Sequence, residues 1–285
     1  MKEKKKKTDH LLALIREGRP MTSGEQLRLT VALSVPAIVT QLSAIVMQYI
    51  DAAMVGSLGA NASASIGLVS TTTWLFWGLC AAASTGFSVQ VAHRIGADDW
   101  DCARSILRRS VPSTFAFSAL LAAIGVSVSG ALPQWLGGDS AIRSDASLYF
   151  LIFSLFLPIL QMNFLAAGML RCSGNMRIPS IAGVLMCILD VVFNFFLIFP
   201  SREFSAGGLT LSIPGAGLGV QGAALGTGLA ESVAAAITLW YLFTRSSGLK
   251  IKAWRKSPSL PTPPIVRNSI RISLPMGLEH VVICG

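Results

Sequence analysis

The chain has 285 residues, of which 52% are hydrophobic and 13% are charged, and its mean hydropathy is +0.61. Charge this sparse cannot cover the surface of a water-soluble globular domain, so the composition excludes that class and indicates a membrane protein. The net charge of +9 comes from basic clusters between long apolar runs, which favours a membrane surface over nucleic acid as the partner.

Six apolar runs long enough to cross a bilayer follow one another, since a spanning helix needs about 20 residues. They cover residues 29–56, 62–91, 111–132, 148–170, 181–199 and 220–243, and a seventh run starts at Ile270. The stretches 136–145 and 199–219 are rich in Gly, Ser and Pro, which predicts loops. The pattern predicts an all-α polytopic membrane protein with a six-helix transmembrane bundle.

The basic residues predict the orientation of these runs, because short basic loops stay on the cytoplasmic side. With the N-terminus inside, the cytoplasmic segments hold 21 of the 23 Lys and Arg residues, and the outer loops hold only Arg143 and Arg202. We therefore expect a multi-pass protein of the plasma membrane, the inner membrane if the source is bacterial, with a cytoplasmic N-terminus.

An internal repeat points to a second unit. The stretch RLTVALSVP at 28–36 aligns with RNSIRISLP at 267–275, and a Pro- and Lys-rich stretch typical of a linker precedes the second copy. We predict a cytoplasmic basic segment at 1–28, a six-helix bundle at 29–245, a cytoplasmic linker at 246–268 and the start of a second, parallel bundle at 269–285. We expect the seventh helix to be truncated and a C-terminal half to be missing from the sequence.

Ionisable side chains inside a bilayer cost roughly 2.5–3.5 kcal/mol each and are kept where they face a cavity or a partner. In the first run, Asp51 shares one helix face with Ser34, Gln41 and Gln48, which indicates a cavity-lining stripe that ends in a carboxylate. The alternative interpretation is an Asp at the outer end of the helix.

Three later runs also carry polar candidates. Asp190 and Asn194 are one turn apart, so they can meet a common ligand or bond each other. Glu231 lies near the midplane, either in a cavity or paired to a neighbouring helix, and Glu279 lies either in a cavity or near the inner interface. The candidates for the ion-coupling site and the substrate cavity are therefore Asp51, Gln48, Gln41, Asp190, Asn194, Glu231 and Glu279.

No stretch of the sequence has the pattern of an active site. GxSxG, HExxH and P-loop lysine motifs are absent, and the five cysteines lack the spacing of a metal site. We therefore predict that the chain is not an enzyme and needs no cofactor. The sequence predicts no certain metal site, and binding of Na⁺ near Asp51 and Asp190 stays an open alternative.

Several stretches resemble one transporter family. The stretch SVPAIVTQLSAIVMQYIDAAMVGSLGANASASIGL at 34–68 closely resembles the opening of the multidrug and toxic compound extrusion (MATE) transporters, whose first helix ends in an aspartate followed by an MVG.LG turn. GFSVQVAHRIGADD, RCSGNMRIP, LDVVFNFFLIF and GAALGTGLAE resemble later stretches of the family in the same order. The resemblance covers nearly the whole chain.

The resemblance implies a twelve-helix exporter of two six-helix bundles that exchanges organic cations or other drugs for inward-moving H⁺ or Na⁺. The family's ion-coupling aspartate of helix 1 falls on Asp51. Many members have Asn and then Asp one turn later in helix 5, whereas here Asp190 precedes Asn194. Glu279 stands four residues after Pro275, where many relatives have Gln or Glu.

Two other functions stay open. A related lipid-linked oligosaccharide flippase would line its cavity with Arg or Lys to bind pyrophosphate, and the apolar runs hold neither. A non-transporting membrane sensor normally has its N-terminus outside, against the charge distribution. We therefore predict a secondary multidrug antiporter whose partners are the lipid bilayer and cationic or amphipathic small molecules.

Overall fold

The computed structural model describes residues 20, 22–206, 209–246, 248–250 and 262–284. Within them the helices are α1 Ser23–Gly56, α2 Ala60–Gly96, α3 Trp100–Val128, α4 Leu132–Trp135, α5 Ser140–Cys172, α6 Arg177–Ile198, α7 Val220–Thr244 and α8 Thr262–Cys284. Six of these, α1, α2, α3, α5, α6 and α7, are long and apolar enough to cross a membrane. The predicted six-helix membrane bundle is confirmed.

Two of the predicted segments fall largely outside the described residues. Most of the basic segment expected at 1–28 and the middle of the linker expected at 246–268 belong to this part. Helix α8 begins at Thr262, so the last residues of the expected linker are helical.

The long helices extend beyond the apolar runs because polar caps start them earlier. Thr22 and Glu25 form a capping box at the start of α1, in which the Thr22 N–H donates to Glu25 Oε2 at 2.9 Å. Asp139 accepts the Ala141 N–H at 3.0 Å and starts α5 at Ser140. The prediction of a loop throughout 136–145 is therefore wrong, because an Asp cap begins a helix inside it.

The second predicted loop contains a β-hairpin. Strands β1 Pro200–Ala206 and β2 Leu209–Ala216 pair antiparallel, with Arg202 opposite Ile213 and Ala206 opposite Leu209. A Gly-Gly pair between two runs of alternating residues is a hairpin signal, and here it stands at 207–208. The loop prediction missed this signal.

Helix α5 packs against α2, α3 and α7, while α6 packs between α1 and α7, and α8 lies on α2. Glycines allow these close approaches. A Cβ on Gly222 of α7 would meet the Leu197 carbonyl oxygen of α6 at 2.5 Å, and a Cβ on Gly226 would overlap the Asn194 side chain. The four-residue spacing of these glycines predicts such a tight helix contact, and the structure has it.

The C-terminal ends of α1 and α6 and the start of α7 lie at the same end of the bundle. Val55, Ile198, Val220 and Ala223 form one buried apolar cluster there. Polar residues near these three helix ends are therefore brought close together.

Candidate functional site

Three of the predicted residues meet where α1 and α6 run side by side. Asn194 donates from its Nδ2 to Asp51 Oδ1 at 3.0 Å and to Asp190 Oδ2 at 3.2 Å. Asp190 is 0% exposed and Asn194 is 1% exposed, whereas Asp51 is partly exposed. We call Asp51, Asp190 and Asn194 the carboxylate site.

The site forms because α1 approaches α6 closely. One turn of helix separates Asp190 from Asn194, so both side chains lie on the same face of α6. On the same pair of helices, Thr40 Oγ1 donates to the Ser180 carbonyl at 3.4 Å, and a Cβ on Gly183 would meet Thr40 Cγ2 at 2.6 Å. The lack of a side chain at Gly183 therefore lets α1 pack closely against the polar face of α6.

The carboxylate site retains open acceptors. Within the described part of the chain, Asp190 Oδ1 and Asn194 Oδ1 are buried and receive no hydrogen bond. The Thr227 hydroxyl of α7 lies beside Asp190, and Tyr149 of α5 lies near both aspartates. A cluster of carboxylate and amide oxygens with unfilled acceptors suits a proton or a small hard cation.

Glu231 forms a second polar cluster between α5 and α7. Asn163 Nδ2 donates to Glu231 Oε1 at 2.7 Å, and Thr238 Oγ1 donates to Asn163 Oδ1 at 2.8 Å. Glu231 is 7% exposed and Thr238 is 1% exposed. We call Glu231, Asn163 and Thr238 the Glu231 site.

Asn163 is a site residue that the sequence reasoning missed. It stands two residues after Gln161 in the otherwise strongly apolar segment LPILQMNFLAAGML, and neither residue was predicted as part of a site. The signal for it was the general rule that a polar side chain at bilayer depth finds a polar partner on another helix. Its partner, Glu231, is 68 residues away in the sequence.

The remaining candidates do not join either cluster. Gln41 and Gln48 are exposed on α1, and Glu279 is exposed on α8, which packs on α2. Of the α1 face that carries Gln41, Gln48 and Asp51, only Asp51 therefore belongs to the carboxylate site.

The sequence profile described as MatE matches residues 36–196, which is more than half of the chain. The chain belongs to the MatE family. The matched segment contains Asp51, Asp190 and Asn194, so the whole carboxylate site lies within it. The resemblance to MATE transporters is confirmed.

Two curated relatives align with most of this MatE chain. It is 23% identical over 257 residues to a protein described as probable multidrug resistance protein NorM from Thermotoga maritima, covering 88% of this chain and 51% of the relative. It is 22% identical over 252 residues to a protein described as FAD transporter from Shewanella oneidensis, covering 85% of this chain and 53% of the relative. The chain thus spans about half the length of the curated relatives it matches.

A solved structure shows the same fold. It is described as the outward-facing conformation of a multidrug resistance MATE family transporter of the MOP superfamily, and it is 22% identical with a TM-score of 0.77. The match covers 92% of this chain and 56% of that one. MatE proteins are multi-pass membrane transporters and not enzymes, so these two predictions are confirmed.

Proposed function

We propose that this MatE chain belongs to a secondary active transporter that exports cationic or amphipathic small molecules in exchange for H⁺ or Na⁺. The observation that carries the proposal is the carboxylate site, in which one Asn194 amide bridges Asp51 and Asp190 from two helices. No cofactor is needed for this exchange, because the ion gradient supplies the energy.

The proposed mechanism is competition between the ion and the substrate for the carboxylates of this site. Two carboxylates that share one amide donor repel each other when both are charged, so the site gains stability from a bound proton or cation. Binding of the ion from outside removes the negative charge that attracts a cationic substrate, and the substrate leaves. Release of the ion inside restores the charge for the next substrate.

The charge of the site favours a cationic substrate over an anionic one. One relative is described as an FAD transporter, and a dinucleotide carries negative phosphates. Asp51, Asp190 and Glu231 are all acidic, and in the described residues no Lys or Arg forms a salt bridge with them. A flippase for a pyrophosphate-linked lipid would need basic residues at this place.

Gln41 and Gln48 fit the lining of a substrate cavity. They are exposed on a membrane-spanning helix, and polar side chains at bilayer depth turn towards a cavity or another part of the protein. We propose the same placement for Glu279 on α8, as a second-bundle contribution to the cavity.

We also propose that residues 29–245 form the first of two parallel six-helix bundles and that α8 begins the second. The aligned stretches at 28–36 and 267–275 each lie inside a helix and end in a proline, Pro36 in α1 and Pro275 in α8. The coverage of about half of each relative supports this division.

The proposal is tested with ethidium, a cationic dye, in inverted membrane vesicles that contain the protein at its full natural length. We expect an imposed proton or Na⁺ gradient to drive ethidium movement, and collapse of that gradient to stop it. Movement that is indifferent to both gradients would reject the antiport. The gradient that drives the dye identifies the coupling ion.

A further inference from the structure

We infer that Glu231, together with Asn163 and Thr238, is a second proton-binding site, separate from the carboxylate site and electrically linked to it. This inference rests on the proposed function, because it assigns a role in ion exchange to a group that the Asp51, Asp190 and Asn194 cluster does not include. The ligand is a proton taken from water, and no covalent step is involved.

The surroundings of Glu231 offer its carboxyl group one hydrogen-bond donor. Asn163 offers one amide donor at 2.7 Å, and its own carbonyl oxygen is 2.8 Å from the Thr238 hydroxyl, whose single hydrogen it shares with the Ala234 carbonyl at 2.9 Å. This orients the amide so that its NH₂ group, and not its oxygen, faces the acid. One neutral hydrogen bond offsets only part of the cost of burying a charge, so proton binding relieves the rest.

Among the described residues, no Lys or Arg neutralises the charge of Glu231 by an ion pair. The ionisable groups of α6 close enough for the charge of Glu231 to act on them are Asp190 and Cys187. The charged residues of α5, which supplies Asn163, are Arg143, Asp145 and Arg171 near its two ends.

Glu231 lies at a different depth in the bundle from the carboxylate site. Glu231 lies eleven residues after the start of α7, about 16 Å along the axis, and Thr238 lies about 10 Å further towards the other end. Gly226, which touches Asn194, lies between that start and Glu231. The Glu231 site is therefore deeper in the membrane than the contact with the carboxylate site, on the side towards which α7 runs.

The charges of the two sites act on each other. Glu231 lies five residues after Gly226, which approaches Asn194, so it is about 8 Å along α7 from the pair of aspartates that share the Asn194 amide. Negative charges this close in a protein interior repel each other. A proton on one site therefore makes the loss of a proton from the other easier, since it removes one of the repelling charges. We therefore expect proton binding at the two sites to be negatively cooperative.

The test follows the carbonyl band of protonated carboxyl groups by infrared spectroscopy while the pH is raised from about 4 to about 9, with the full-length protein in lipid nanodiscs. Glu231→Gln is expected to lose one component of that band, and the isosteric Gln keeps an acceptor for Asn163. Asn163→Leu is expected to shift the same component, because the carboxyl group loses its hydrogen bond. Asp145→Asn, near the end of α5, is the matched control and should leave that component in place.

Three results would overturn the inference: an unchanged band in Glu231→Gln, a Glu231 component that never titrates in this range, and no shift in Asn163→Leu. The Asn163→Leu measurement decides the matter if Glu231→Gln does not fold. Ethidium movement separates this test from that of the proposed function. A titrating Glu231 without gradient-driven movement would reject only the antiport, and gradient-driven movement with an unchanged band would reject only the second site.

Discussion

Asn194 on α6 binds Asp51 on α1 through a hydrogen bond of 3.0 Å, and the two residues are 143 positions apart in the sequence. The same Nδ2 atom also bonds Asp190 one turn below. One amide thus joins the first and fifth membrane-spanning helices at a pair of carboxylates.

Neutralising Asp51 should remove the ion dependence of transport. In Asp51→Asn the amide keeps the shape of the side chain and its contact with Asn194, but it cannot bind and release a proton or hold Na⁺ as a charge partner. We expect gradient-driven ethidium movement to fall to the level of vesicles without the protein. Asp145→Asn makes the same chemical change at a residue outside the carboxylate site and should move ethidium at the normal rate. Normal, gradient-dependent movement in Asp51→Asn would refute the role of Asp51.

Removing the bridging amide should destabilise the bundle. Asn194→Ala leaves both carboxylates without their shared donor, and a hydrogen bond to a charged group contributes about 1.5–3 kcal/mol. We expect a lower unfolding temperature for the detergent-solubilised protein at neutral pH. Protonation relieves the repulsion between the two acids, so the loss should be smaller at acidic pH. A loss of equal size at both pH values would mean that Asn194 only fills space.

A methyl group at Gly226 should disturb the carboxylate site from the side of α7. A Cβ there overlaps the Asn194 side chain, so either the helix or Asn194 must move. We expect Gly226→Ala to lower the free energy of unfolding by about 1–3 kcal/mol, the usual cost of overpacking, and to weaken ethidium movement. Gly67→Ala on α2 is the control, because nothing lies within 4 Å of its added Cβ. Equal stability of the two variants would show that α7 does not depend on this contact.

The cap of α5 predicts a weak acid sensitivity. The Ala141 N–H, followed by the Ser140 hydroxyl, holds the pKa of Asp139 below its ordinary value. The folded-state pKa is depressed, so the stabilising contribution is present above the unfolded-state pKa and is lost as the pH falls through the folded-state pKa, below about 4. Asn also caps helices, so Asp139→Asn should keep the stability at neutral pH and lose less of it at pH about 3. Thermal unfolding of both proteins at the two pH values measures this, and identical losses would contradict it.

The orientation predicted from the basic residues can be tested with single cysteines. Leu136 and Ala97 are both exposed, and they lie in turns at opposite ends of the bundle. With a cytoplasmic N-terminus, Leu136→Cys should react with a membrane-impermeant maleimide in intact cells, and Ala97→Cys only after permeabilisation. The unsubstituted protein sets the background from the five native cysteines. The opposite labelling pattern would place the N-terminus outside.

The pattern of apolar runs is enough to predict the membrane bundle because a bilayer demands long apolar helices and leaves few other solutions. The errors of the sequence-based prediction lie in the polar segments between the membrane-spanning helices. The helix from Ser140 and the hairpin at 200–216 were both predicted as loops, because short polar segments are decided by a single cap or turn and not by periodicity.

The candidate site, too, could be predicted only in part from the sequence. Asp51, Asp190, Asn194 and Glu231 stand out in the sequence because ionisable and amide groups are rare and costly in apolar runs. Which of them meet depends on the distances between helices. Asn163 shows this most clearly, since its bond to Glu231 depends on how α5 and α7 pack.

The sequence by itself determined that this chain crosses a membrane, how many long helices do so and which acidic residues they carry, because hydropathy and the cost of buried charge act locally. Only the tertiary structure decided that Asn194 joins Asp51 to Asp190, that Glu231 is held by Asn163, and that Gln41, Gln48 and Glu279 stay apart from both. The first of these relationships depends on the close approach of α6 to α1 and α7, which glycines at 183, 222 and 226 permit, and the second depends on the packing of α7 against α5.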